Sequence, residues 1–88
     1  MKIPRNISGK ELVKVLKVFG YEVVRQNGSH LTVTTEMNGQ HHLAIPNHDS
    51  IKIGTFNGII NRVALHFNLD KQEVLKNYFL SNLILQLV

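Results

Sequence analysis

The sequence predicts an α+β domain in the order α-β-β-β-α, a three-stranded antiparallel sheet with helices packed on one face, followed by a C-terminal helical extension. Three observations carry this expectation. A helix-start signal at Ser8–Glu11 precedes apolar residues at helical spacing. Three short strand-like runs lie between Tyr21 and Ile45, and helical spacing returns after Gly54. The 88 residues hold one modest core, so residues 1–88 are expected to form a single domain.

Ser8-Gly9-Lys10-Glu11 has the form of a capping box, with Ile7 and Leu12 at the positions of a hydrophobic staple. The helix is expected from Gly9 to Phe19, burying Leu12, Val13, Val15, Leu16 and Phe19. Gly20 then supplies the left-handed residue that ends it. Lys10, Lys14 and Lys17 share the opposite face, as the solvated side of an amphipathic helix commonly does.

Strand-like runs follow at Tyr21–Gln26, His30–Thr35 and Gln40–Ile45. For Leu31 and Val33 to share a buried face with Leu43 and Ile45, the second hairpin needs an odd loop. Met37-Asn38-Gly39 supplies one, with Gly39 left-handed. Leu31 then lies opposite Ile45 and Val33 opposite Leu43. His30, Thr32, Thr34, His42 and Ala44 fall on the other, open face, with His30 and His42 on the order of 13 Å apart. Val23 and Val24 give conflicting cues for the first strand, which leaves Arg25 either beside His30 or diagonal to it.

Pro46 ends the third strand, and Pro46–Ser50 reads as a polar loop that carries His48 on its surface. Thr55 is expected to cap a helix reaching Phe67, with Ile59, Ile60, Val63, Ala64 and Phe67 inward and Gly58 weakening its first turns. Asp70 and Glu73 mark a third helix carrying Val74, Leu75, Tyr78 and Phe79. The apolar run from Ser81 to Val88 should be covered, either by this core or by a second chain in a homodimer.

Composition narrows the chemistry. With no cysteine, disulfides, thiol nucleophiles and thiolate metal sites are excluded. No run is long enough to span a membrane and no signal region follows Met1, so a cytoplasmic location is expected. A net charge of +4 favours an anionic partner. Five histidines invite a metal, but His41 and His42 are adjacent in a strand and point to opposite faces, and none of the five has i, i+4 helical spacing. A Ser29-His30-Asp49 triad fails because neighbouring strand side chains diverge and no nucleophile elbow is present. Phe19, Phe56, Phe67 and Phe79 read as core, not as stacking platforms for bases. What remains is Gly28-Ser29-His30, which puts an imidazole at the first position of a strand, beside a turn. Such a residue is commonly plain surface, yet it is also well placed for acid-base work on a bound ligand.

A basic first helix followed by three strands and a helix is the layout of double-stranded-RNA-binding domains. The segments Ser8–Leu12, Gly20–Leu31, His41–His48 and Ile53–Thr55 together resemble the HicA toxin family, also called YcfA-like mRNA interferases, over about residues 7–74. The resemblance implies the toxin of a type II toxin–antitoxin pair: an endoribonuclease that cuts messenger RNA without metal or other cofactor and is inhibited by a HicB-type antitoxin. It implies that His30 is the catalytic residue. Lys10, Lys14 and Arg25 are then the expected phosphate contacts, with Gly28 and Ser29 donating to a phosphate oxygen and His48 or Lys10 as candidates for a second acid-base group. Two features depart from the family pattern. Phe56-Asn57-Gly58 stands where a Leu and a basic residue open the second helix, and the apolar terminus is longer. A non-catalytic RNA-binding module and a basic adaptor for an acidic protein are the alternative readings.

Overall fold

The computed structural model describes residues 7–77. Helix α1 (Gly9–Leu16) opens with the reciprocal capping box: Glu11 N–H donates to Ser8 Oγ at 3.1 Å and Ser8 N–H to Glu11 Oε1 at 3.4 Å. It tightens into a 3-10 turn over Lys17–Phe19 and stops at Gly20, whose φ of 81° only glycine adopts freely. The staple residues Ile7 and Leu12 are both buried, as are Val13, Val15, Leu16 and Phe19. Gly9 lies so close to the chain at Pro46 that a Cβ there would overlap the Pro46 carbonyl.

Strands β1 (Glu22–Asn27), β2 (His30–Thr35) and β3 (His41–Pro46) form an antiparallel sheet in the order β1-β2-β3. The expected register of the second hairpin holds: Leu31 pairs with Ile45 and Val33 with Leu43, all four buried. Three details differ. Strand β1 starts at Glu22 because Tyr21, fully buried, still belongs to the turn and bonds through its N–H to Leu16 O at 3.3 Å. Strand β3 extends to Pro46, which pairs with His30 on a sheet edge where no donor is required of it. The loop between β2 and β3 spans residues 36–40 in place of three residues, since pairing ends at Thr35–His41. Asn38 and Gly39, with φ of 56° and 93°, make its turn, and Met37 N–H donates to Thr35 Oγ1 at 3.1 Å.

Helix α2 (Ile53–Phe67) begins two residues before the expected Thr55 cap. Buried Ile51 is tied back through its N–H to Ile7 O at 2.8 Å, and the chain enters the helix directly from that anchor. Thr55 is therefore inside the first turn, exposed, and Lys52 holds the cap position without a side-chain cap bond. Phe56, Ile59, Ile60, Val63 and Ala64 face the sheet, and Phe67 packs partly buried against Phe19 at 5.1 Å between ring centroids. A third helix, α3, runs over 71–77 within the described residues; Asp70 N–H donates to Glu73 Oε1 at 3.3 Å, and Val74 and Leu75 join the core. Tyr78, Phe79 and the Ser81–Val88 run, with the homodimer expected through it, lie outside the described residues.

Two glycines give opposite expectations. Gly9→Ala must displace backbone at Pro46 and should cost about 1–3 kcal/mol. Gly58→Ala, exposed inside α2 with no atom near the added methyl, should gain about 0.5–1 kcal/mol. Urea unfolding of the three proteins measures both.

Candidate functional site

The β1–β2 turn is set by its two central residues. Asn27 pairs directly with His30, and Gly28 alone has a positive φ, 61°, in the manner of a type II′ hairpin. Because Leu31 is buried, His30 must point to the opposite face, and it is exposed. The turn is not free to swing: Asn47 N–H donates to Ser29 O at 2.7 Å. That bond ties the Gly28–Ser29 turn to the loop that carries His48, whose own carbonyl accepts from Gly9 N–H at 2.9 Å. The turn, the 46–50 loop and the start of α1 thus meet at one end of the sheet.

A β-bulge resolves the conflicting cues of the first strand. Val23 pairs with Val33 and Arg25 with Thr32, so Val24 is the extra residue. This shift puts Arg25 on the open face, diagonal to His30 and about 7 Å along the strand from its rung. Arg25 shares a shallow depression of about 460 Å³ with Val24, Thr32 and His42. His42 pairs with Thr34 and shares a 2.6 Å hydrogen bond between its Nδ1 and Thr34 Oγ1. The open face therefore carries His30, Arg25 and His42 on alternate rungs.

The other expected residues are distributed around this row. His48 is exposed in a small groove of about 260 Å³ that also includes Pro46, the ladder partner of His30, and Lys52 and Thr55 at the start of α2. Lys52 was not singled out from the sequence, because its neighbourhood depends on where α2 begins. Lys10 follows Gly9 and so starts near the 46–48 segment, but its side chain lines a groove between α1 and β1 together with Lys14 and Lys17. Buried Leu31 is part of the same groove, which puts these lysines on the helix side of the sheet, away from the face of His30.

A second cluster was invisible in the sequence. Tyr21 OH and His41 Nδ1 share a 2.7 Å hydrogen bond, and the His41 ring stacks on His66 at 4.4 Å and 10°. His66 Nε2–H donates to the carbonyls of Met37 and Gly39, both at 3.0 Å, and Asn38 Nδ2 donates to His66 O at 2.8 Å. These bonds fasten the 36–40 loop to the end of α2. Burial pushes the Tyr21 phenol up to about 12, so it stays protonated. Burial, and then the positive charge of His66, Arg62 and His42, holds His41 below its usual value. Among the described residues, no three His, Cys, Asp or Glu side chains gather as ligands for one metal ion, and no described helix is long and apolar enough to cross a membrane.

The molecule is thus a small basic α+β domain with an exposed imidazole at a pinned hairpin turn. Residues 9–65 match the family described as the HicA toxin of bacterial toxin–antitoxin systems. The match covers well over half of the 88 residues, and the chain belongs to the HicA toxin family. Comparisons with curated proteins and with solved structures gave no match.

The lowered pKa of His41 fixes the sign of a pH effect. The unfolded chain takes up a proton near 6.5 while the folded chain resists it, so folded stability is full above 6.5 and falls as pH drops toward the native value. Urea midpoints at pH 7.5 and 5.5 should show this loss in the wild type and a smaller one in His41→Gln.

Proposed function

We propose that this toxin is a metal-independent endoribonuclease that cleaves messenger RNA in the cytoplasm, with His30 as its acid-base residue and a HicB-type antitoxin as its inhibitor. One observation carries the reading: the 2.7 Å bond from Asn47 N–H to Ser29 O, which ties the His30 turn to the loop bearing His48. Two imidazoles on two tethered loops answer the need for a base and an acid on either side of one phosphate.

In the proposed reaction His30 takes the proton of a ribose 2′-hydroxyl, and the 2′-oxygen attacks the adjacent phosphorus. The P–O5′ bond breaks, His48 gives a proton to the departing 5′-oxygen, and a 2′,3′-cyclic phosphate remains. Charge building on the phosphoryl oxygens is met by Arg25, the N–H groups of Gly28 and Ser29, and the Ser29 hydroxyl. His42, two rungs beyond Arg25, suits a neighbouring phosphate of the same strand. Lys10 and Lys14 raise the positive potential that draws RNA to the domain.

The test is cleavage of a long RNA in excess chelator. His30→Ala should cut about 10²–10⁴-fold more slowly than wild type while RNA affinity is retained. His48→Ala should lose the alkaline limb of the pH–rate profile, the limb set by the proton donor. Wild type that binds RNA tightly but never cuts it points instead to the non-catalytic module, and equal growth arrest by wild type and His30→Ala in cells overturns the catalytic role.

A further inference from the structure

One concavity takes no part in the proposed bond-making and bond-breaking steps. It is a groove of about 550 Å³ between α1 and β1. Its floor is apolar: Val13 and Leu31 are buried there, while Val23 remains 46% exposed on the edge strand. Along one rim stand Lys10 and Lys14 of α1 and Lys17 of the 3-10 turn that follows it, all exposed and spread over about 10 Å. Glu22 is the one carboxylate among the described residues that line the groove.

We propose that this groove docks a short acidic segment of a partner protein, one apolar side chain seated on Val23 and carboxylates meeting the three lysines. Charge selects this occupant from the others. Residues 78–88 contain no Asp or Glu, so the chain's own apolar terminus brings no acidic side chain to the lysine rim. A second copy carries a net charge of +4 and would be repelled. An RNA backbone would satisfy the lysines but leave the apolar floor without a partner, whereas a mixed acidic and apolar peptide satisfies both. The proposal is independent of the cleavage chemistry, because the groove lies on the helix side of the sheet and His30 on the other.

The experiment uses the full 88-residue chain with labelled valine methyls and amides, titrated with a nine-residue Asp/Glu peptide that has leucine at its centre. The controls are the same peptide with serine in place of leucine and an RNA nonamer. The leucine peptide should move the Val13 and Val23 methyl signals and leave the His30 and Thr32 amides in place. Its serine counterpart should bind about fivefold more weakly, the share of a half-buried leucine. Lys17→Glu should weaken the leucine peptide about threefold, and Val23→Asp should abolish its effect on the Val13 methyls. Equal binding of the two peptides, absence of any shift at Val13 and Val23, or larger shifts there with RNA overturns the proposal. So does shielding of the Val23 methyls from a soluble paramagnetic agent in the free chain, since that means the chain or a second copy already fills the groove.

Discussion

Strand β2 is hydrogen-bonded along both edges, so its alternation decides what each neighbouring strand can show. Leu31, Val33 and Thr35 point into the core, and His30, Thr32 and Thr34 point away from it. Thr35 is the revealing member of the inward set. It is a polar residue, 1% exposed, whose hydroxyl donates to Phe19 O at 2.7 Å and accepts from Met37 N–H. The hydroxyl thus satisfies a carbonyl at the end of the first helical unit and a donor at the start of the following loop. A slip of one residue would bury His30, Thr32 and Thr34, strip Thr35 of both partners and expose the apolar set, which is why one register is overwhelmingly favoured.

From this constraint follows the division of the molecule into two working sides. The helices cover one face of the sheet, and the other carries imidazoles and an arginine on rungs whose spacing is fixed by the ladder. Placing a reactive side chain on a strand held from both sides gives it a definite direction without any dedicated scaffold, which suits a chain with few residues to spare. The loop after β3 then needs only a single backbone bond to Ser29 to be brought alongside. Val23 and the lysines of the helix side can change without disturbing that arrangement, because Val23 pairs with Val33, on a rung that holds none of His30, Arg25 and His42.

Much of this was legible in the sequence where one local rule was enough. The capping box, the Gly20 stop and the register of β2 on β3 all rest on contacts within a few residues or on simple alternation, and each is found as expected. The misses required knowledge of distant partners. Helix α2 starts early because Ile51 is anchored to Ile7, some forty positions away in the chain, a tie that the capping preference of Thr55 cannot reveal. The 36–40 loop is longer than its turn residues suggest because His66, from another element, holds its carbonyls. The position of Arg25 stayed open for the same reason. Two adjacent valines with similar propensity do not announce which of them the ladder will omit. For the candidate site, the histidine at the turn and its face were readable, whereas the grouping of His48 with Lys52 and the separation of the lysines from His30 were not.

The bulge at Val24 has a bearing on the solution behaviour of the protein. Strand β1 is exposed at all six positions and includes two exposed valines, Val23 at 46% and Val24 at 63%. A flat edge of that composition would invite growth of the sheet from one molecule into the next. By inserting one unpaired residue, the bulge breaks the even spacing of N–H and C=O groups that an incoming strand must match, and it adds local twist. The same irregularity that turns Arg25 toward the open face therefore makes the edge a poor template for fibre growth.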